Sequence, residues 1–590
     1  MIKPNNIFAI KFTPFLLTLV IFLLAFGNEV SLSGKGLDLN DGGWSLLKAS
    51  FPESEVASGG RDCHYMHSMF VMFNGSVAAL RIASIILILT ALIIFTSGIM
   101  RVCFENELKN RLYGFQLFLL LSISTIPCFW IERQPTYNIL GTFSFFAVIG
   151  TALFAVQFRR KKDYNHYFLL LILAGIFIAF GFLTRFPIVG PSCVILALIY
   201  YFSFKTNKLF LSSVLLVAGI ILGLLIHIYF YESTQTLINI YQNGWELSKI
   251  VYEESISEKL TRQTLDILAA WQVAIGRHKF AILILFFGVN FFPKGKFWIL
   301  IPAIIWTLFS SYNHGDLNGG FSLFFNYYRF WASLGFILFP ILFLQLDFKQ
   351  YQTLKISNLT YQLIKSSFLL VLYLLLPPFC AIGAGSSLMY TGNFFGCLHP
   401  LVLIIVLKKN GHFLFNWEKY IYWVLFLFCI GPTINYYNSR FNSPLFSVDG
   451  SRVEDCREKT EVGFYANTIE MSERQSLLLN GLNKILKENG FVRGTKILNF
   501  TDLPGLLYAV GGDFNIHAWT NVHHGSAVPY FMKNAKVEDI KSSWILYDAI
   551  NWNDRIEVSF NSRDLDLSKT HQEIGMIDKF KIYKPKAFVN

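Results

Sequence analysis

The chain has 590 residues, of which 54% are hydrophobic, 17% aromatic and only 15% charged, where soluble proteins carry about 25% charge. That composition excludes a soluble globular protein and a disordered one, and it is that of a polytopic membrane protein. The net charge of +12 does not call for nucleic acid, because Asn438 to Asn590 holds 19 Lys plus Arg against 19 Asp plus Glu, which leaves the whole excess in the apolar part.

Crossing a bilayer takes about 20 apolar residues. Such segments begin near Phe8, Ser76, Leu112, Asn138, Tyr167, Pro187, Leu209, Phe280, Lys296, Phe330, Ser366, Asn393 and Glu418. The sequence therefore predicts about 13 transmembrane helices over residues 1–437. The first has a long apolar stretch and no small-x-small cleavage site after it, so it reads as an uncleaved anchor.

Orientation follows from the basic residues of short loops, which collect on the cytoplasmic side. With the N-terminus inside, the inner loops carry Arg101, Lys109 and Arg111, then Arg159 to Lys162, Lys205 and Lys208, Lys294 and Lys296, Lys349, Lys355 and Lys365, and Lys408-Lys409. Thirteen spans place the C-terminus outside. The expected location is multi-pass, in a bacterial inner membrane, with an extracytoplasmic C-terminal domain.

Two external loops are long enough to build a site, 28–75 and 232–278; a shorter one, 311–325, contains Asn313, His314, Asp316 and Asn318. Long loops beside a bilayer are expected to form amphipathic helices on it, with Trp44, Leu46, Leu47 and Phe51 facing lipid or the spans. The first loop contains Asp38-Leu39-Asn40-Asp41-Gly42-Gly43-Trp44, which is also good turn chemistry.

The segment 438–590 changes character and predicts a small α/β domain, large enough for its own core. Ser472 to Asn489 has leucines at helical spacing and is followed by Gly490, a helix stop. Lys496 to Phe500, Trp544 to Tyr547 and Phe580 to Tyr583 read as strands. Cys63 and Cys456 are the two cysteines in external segments and form the one disulfide pair to test. Cys63, His64 and His67 fall short of a four-ligand zinc pattern. No cofactor is predicted, and no metal site: a divalent metal has no support in the residues.

Four segments carry a family resemblance. Asp41-Gly42-Gly43-Trp44-Ser45-Leu46-Leu47, Gly75-Ser76-Val77-Ala78-Ala79-Leu80-Arg81, Gln134-Pro135-Thr136-Tyr137-Asn138 and Leu173-Ala174-Gly175 through Leu183-Thr184-Arg185-Phe186-Pro187 together resemble bacterial GT-C glycosyltransferases. These are relatives of protein O-mannosyltransferases and of the lipid A aminoarabinose and galacturonic acid transferases. The resemblance covers about the first 190 residues. It implies a polyprenyl-phosphate-linked sugar donor, a lipid, glycan or protein acceptor, and inversion at the anomeric carbon. Asp41 matches the aspartate of the family's Asp-Glu-Gly-aromatic pattern, which implies a general base on the acceptor hydroxyl; the glutamate of that pattern is Gly42 here.

A lipid phosphate leaving group needs cations at the outer boundary, where arginine's planar fork suits phosphate. Arg185, Arg329 and Arg133 are the candidates, with Arg81 either there or packed on the first loop. Tyr137 and Asn138 follow a proline and are candidates for sugar contact, although Asn138 also suits a helix start. Asp38 is the reserve base, Asp62 stands behind it, and Glu132 is a second carboxylate beside Arg133. His517, His523 and His524 lie in the tail, as does Asp502 to Tyr508, which has no assigned reaction. Three other readings stay open on the residues: a ligase or polymerase of lipid-linked glycans, a non-catalytic glycan-binding scaffold, and a transporter. A transporter would need charges deep within its spans, whereas most charges here fall at span ends.

Overall fold

A computed structural model describes all of the chain except residues 1–3, 58–59, 105–110, 128, 130–132, 204–208, 253–255, 292–295, 315–327, 338–369, 381–391, 411–416, 443–449, 515–531, 533–534, 551–559, 562, 564 and 587–590. The expectations for Glu132, Asp316, Asn318, His517, His523 and His524, and for the start of the span near Ser366, lie outside the described residues.

The apolar part is helical. Its elements are α1 (Pro4–Ser31), α2 (Asp41–Ser50), α3 (Asp62–Met72), α4 (Val77–Cys103), α5 (Arg111–Thr125), α6 (Tyr137–Arg160), α7 (Tyr164–Arg185), α8 (Val189–Ser203), α9 (Leu209–Phe230), α10 (Thr234–Tyr252), α11 (Ile256–Phe291), α12 (Lys296–Asn313), α13 (Leu398–Asn410) and α14 (Trp417–Asn442). Among the described residues five helical segments are long and apolar enough to cross a membrane: Phe12–Ser31, Val77–Cys103, Tyr137–Arg160, Tyr164–Tyr200 and Phe210–Phe230. The spans expected near Tyr167 and Pro187 fall within one of these segments, joined at the 3₁₀ turn Phe186–Ile188 with no longer loop between them.

Small residues set the spacing inside the bundle, as they do where lipid offers no hydrophobic drive for association. A Cβ on Gly98 would sit 2.8 Å from the Gly150 carbonyl, so α4 and α6 touch backbone to backbone; Gly175 and Gly219 do the same for α7 and α9. Buried Gln116 ties three helices together by donating to Thr18 (3.1 Å) and to the Tyr422 carbonyl (2.9 Å). On α9 the exposed residues are large and apolar, including Phe210, Val217, Ile221 and Leu225, as a lipid-facing helix requires. Helix α10, in the second loop, buries Leu237 and Ile240 and exposes Gln235, Thr236 and Asn239, with Ile238 and Trp245 also exposed.

The tail contains a five-stranded sheet of order β4-β3-β5-β7-β6 and a separate β1–β2 hairpin. The strands are β1 (Glu458–Val462), β2 (Asn467–Met471), β3 (Lys496–Phe500), β4 (Asp513–Phe514), β5 (Trp544–Asp548), β6 (His571–Ile577) and β7 (Phe580–Pro585). β3 pairs in parallel with β4 and β5, and β7 pairs antiparallel with β5 and β6. Helix α15 (Glu473–Glu488) is capped by Ser472, whose hydroxyl accepts from Gln475 N, and it buries Leu478, Leu479, Leu482 and Leu486. The helix and all three strands expected from the sequence are present, because each has the period of its element and a turn or cap at its ends.

Of the two covers expected for Leu46 and Leu47, lipid or the spans, the structure shows the span side, Val77 and Leu80 of α4, and adds the tail. Both α2 leucines are fully buried in one core with Leu506, Leu507, Val462 and Ile469 of the tail. Phe51 meets the Phe464 ring edge-on at 5.7 Å, and Trp44 stacks under the Lys48 ammonium at 4.0 Å. Residues 34–36 extend the tail hairpin: Gly36 N donates to the Glu470 carbonyl (2.6 Å) and Glu470 N to the Gly34 carbonyl (2.9 Å). The tail supplies the apolar partner that burial of α2 needs, and a folded apolar partner buries these leucines more completely than a headgroup layer would. Cys63 and Cys456, the pair to test, form no disulfide; both are buried thiols.

Candidate active site

The turn before α2 is organised by Asp38. One carboxylate oxygen accepts from Asn40 N (2.8 Å) and the other from Gly42 N (2.6 Å), which occupies two of the backbone donors a helix start leaves over. Within that turn chemistry it is Asp38, not Asp41, whose carboxylate accepts the backbone N–H groups. Asp41 is left in the first turn of α2 with its side chain exposed and, among the described residues, with no hydrogen bond to its carboxylate.

Two contacts hold that turn from either side. A Cβ at Gly42 would lie 2.6 Å from Gln134 Nε2 and 2.9 Å from Asp38 Oδ2, so a side chain at this position would have to displace the Gln134 amide and the Asp38 carboxylate. On the other side Gly43 packs directly on the Gly505 backbone at the start of α16 (Pro504–Val510), and Gly505 N donates to the Leu39 carbonyl at 2.8 Å. The segment Asp502 to Tyr508, unassigned from sequence, is therefore the tail's foot on the Asp41 turn.

The electrostatics favour a proton acceptor. Crowding by the surrounding chain pushes the Asp41 carboxyl up to about 7; the Asp38 charge adds to the rise and Lys48 opposes it. Solvent reaches the Asp41 side chain and moderates the shift, so the upward direction is what matters for its chemistry. Burial likewise raises Asp38 to about 6, against the two backbone N–H groups and the Arg81 charge.

The other expected residues divide into two groups. Thr136, and not Asn138, caps α6, its hydroxyl accepting from Ile139 N (3.4 Å). Tyr137 and buried Asn138 open that helix three and four residues beyond Gln134, and one turn on, Gly141 is covered by Arg185, whose Cβ and Cδ would lie 2.9 Å from an added Cβ. Arg185 is buried at the end of α7. Loop one docks there as well, with Arg61 N donating to the Leu183 carbonyl and Gly60 packed on Thr184. Contacts thus join the Asp41 turn to Gln134, and Arg185 to the first turns of α6 that Tyr137 and Asn138 open.

Arg133 and Arg81 belong to a different task. Arg133 donates to the Leu32 and Lys35 carbonyls and lies 3.9 Å from Glu29. Arg81 donates to the carbonyls of Ser33 (2.9 Å), Lys35 (2.8 Å) and Gly36 (2.7 Å). Both clamp the chain leaving α1, which matches the packing alternative expected for Arg81. Arg329 opens a helix at residues 328–337, where its neighbour Tyr328 accepts from Trp271 (2.7 Å) and donates to the Leu374 carbonyl (2.8 Å).

A line of buried charge that the sequence did not suggest runs behind the site. Lys48 on α2 pairs with Asp62 at 3.2 Å, both about 2% exposed or less. Next in the chain, Arg61 pairs with Glu232 at 2.9 Å and donates to His64 Nε2 at 2.6 Å. Because arginine only donates, Nε2 is the accepting nitrogen in this contact. His227 Nε2 lies 2.8 Å from the same Glu232, and Tyr65 lies 3.0 Å from His227 Nδ1. The Arg61 to Glu232 separation of 171 residues explains why no local pattern shows it. Among the described residues no group of three His, Cys, Asp or Glu is placed to hold a metal ion.

No protein-family model matches the chain, and no curated protein matches it significantly.

Proposed function

We propose that the chain is a membrane glycosyltransferase of the GT-C type, which moves a sugar from a polyprenyl-phosphate donor to a lipid, glycan or protein acceptor at the outer face of a bacterial inner membrane. About 13 spans and an extracytoplasmic tail belong to this reading. The observation that carries it is the Asp41 carboxylate: accessible, without a hydrogen bond among the described residues, raised in proton affinity, and held between the Gln134 loop and the foot of the tail.

In the proposed step the acceptor hydroxyl oxygen attacks the anomeric carbon from the face opposite the leaving group. The bond from that carbon to the polyprenyl phosphate oxygen breaks, and the phosphate leaves with the electron pair. Asp41 takes the hydroxyl proton, and the configuration inverts. Arg185 is the candidate to bind the phosphate, with Arg329 as a second cation, and Tyr137 and Asn138 are the candidates for sugar contact. Base catalysis of this kind contributes about 10² to 10⁴ in rate.

Asp41→Asn keeps the size and turn chemistry of the residue but cannot take the proton. Single-turnover transfer in proteoliposomes should fall by at least about 100-fold with donor binding unchanged. A near-normal rate in Asp41→Asn, with loss in Asp38→Asn, would move the base to Asp38. Full activity in both would remove the mechanism.

A further inference from the structure

At the ends of α4 and α5 farthest from the tail, a cavity of about 460 Å³ opens between the two helices, within the range of about 300 to 1,000 Å³ typical of ligand sites. Arg101, in the last turn of α4, and Arg111, the first residue of α5, stand among its lining residues. Its apolar wall includes Ile93, Phe115 and Phe118, of which Ile93 and Phe115 are exposed on the helix surfaces. Thr96 also lines it; this side chain is 3% exposed, and its hydroxyl has no hydrogen-bond partner among the described residues.

These features do not fit basic residues that merely end a helix. Arg101 is fixed from behind, donating to Gln157 Oε1 at 2.8 Å and lying 4.7 Å over the Phe154 ring, so its position does not depend on reaching into a headgroup layer. Two cations at a mouth, a buried hydroxyl below them and an apolar wall beyond are the sequence of groups along a phospholipid: phosphate, glycerol ester, chain. Basic pockets between membrane helices bind anionic headgroups in this way, and arginine holds phosphate with two parallel donors.

We propose that this cavity is a binding site for one anionic phospholipid, its phosphate between Arg101 and Arg111, an ester oxygen accepting from Thr96, and an acyl chain along Ile93, Phe115 and Phe118. The site is separate from Asp41 and does not depend on the transferase reading.

The test is native mass spectrometry of the full chain, purified in detergent, with dioleoylphosphatidylglycerol or dioleoylphosphatidylcholine at equal concentration. Both lipids carry the phosphodiester, but phosphatidylcholine adds a quaternary ammonium that would face the two arginines, so retention of one phosphatidylglycerol should exceed that of phosphatidylcholine by at least about tenfold, the scale of a like-charge contact near a protein surface. Arg101→Gln with Arg111→Gln should abolish the preference. Gly114→Leu leaves the charges in place but fills the cavity; a Cβ there meets only the Met100 side chain, at 3.5 Å, so the fold accommodates it, and lipid retention should fall by a similar factor. Arg160→Gln with Lys161→Gln, both exposed at the end of α6, should change nothing. Equal retention of the two lipids, an undiminished preference in Gly114→Leu, or an equal loss in the α6 control would overturn the proposal. So would displacement of the lipid by millimolar sodium phosphate, which would make the site one for free anions.

Discussion

Gly505→Ala tests whether the tail positions the Asp41 turn. The new Cβ would lie 2.6 Å from Leu39 Cα, 2.8 Å from its carbonyl oxygen and 2.9 Å from its carbonyl carbon. All three are backbone atoms, so no side-chain rotation relieves the clash and α16 must withdraw from the turn. Forced overpacking costs about 1 to 3 kcal/mol, and loss of the Gly505 to Leu39 hydrogen bond about 0.5 to 1.5 kcal/mol. Together they predict a destabilisation of about 1.5 to 4.5 kcal/mol. If Asp41 acts as proposed, a displacement of about 1 Å would also lower the transfer rate on the order of 100-fold. Thermal unfolding and single-turnover transfer measure the two effects separately, and hydrogen exchange over residues 40–47 should rise. Gly276→Ala is the control: it is also a helical glycine, but with nothing within 4 Å, and it should be neutral or stabilising by up to about 1 kcal/mol. If Gly505→Ala matches that control in melting, exchange and rate, the tail does not hold the turn.

The pH dependence of transfer follows from the raised carboxyl of Asp41. A general base must be ionised, so the single-turnover rate should be lost as pH falls through a pKa above the ordinary carboxylate range; a rate that holds down to the ordinary carboxylate value of about 4 would exclude Asp41 as the base. Arg185→Ala should weaken donor use by about 1.5 to 3 kcal/mol, read as KM for the lipid-linked sugar, and an unchanged KM would return Arg185 to a packing role. Glu232→Gln removes one partner of a buried ion pair and should destabilise by about 3 to 5 kcal/mol in thermal unfolding. Burial alone would raise the Glu232 carboxyl, but hydrogen bonds from His227 and Arg61, with the Arg61 charge, override it and hold it well below the usual range. Its stabilisation is therefore present above pH 4 to 5 and lost as pH falls below the ordinary carboxylate value. In Glu232→Gln that acid-side loss should shrink.

Much of this molecule is legible in its residues because the signals are local. Apolar runs of membrane length marked the helices, since a bilayer leaves the backbone no hydrogen-bond partner but itself. In the tail, Ser472 before a leucine-spaced run and the short β-rich segments at 496–500, 544–547 and 580–583 declared α15, β3, β5 and β7 without any tertiary information. Asp41 could be singled out from its neighbours in the chain. What it touches could not. The burial of Leu46 and Leu47 under the tail joins residues more than 400 positions apart, and an apolar stripe reads the same whether lipid or protein covers it. Gly42 and Gly43 read as a flexible turn; only the fold shows that one lies against Gln134 and the other against Gly505. The division of labour between Asp38 and Asp41, and the accepting role of His64 Nε2, likewise depend on hydrogen-bond directions set by tertiary packing. A sequence records which groups are present, but their proton affinities and partners are fixed by the neighbours that folding brings to them.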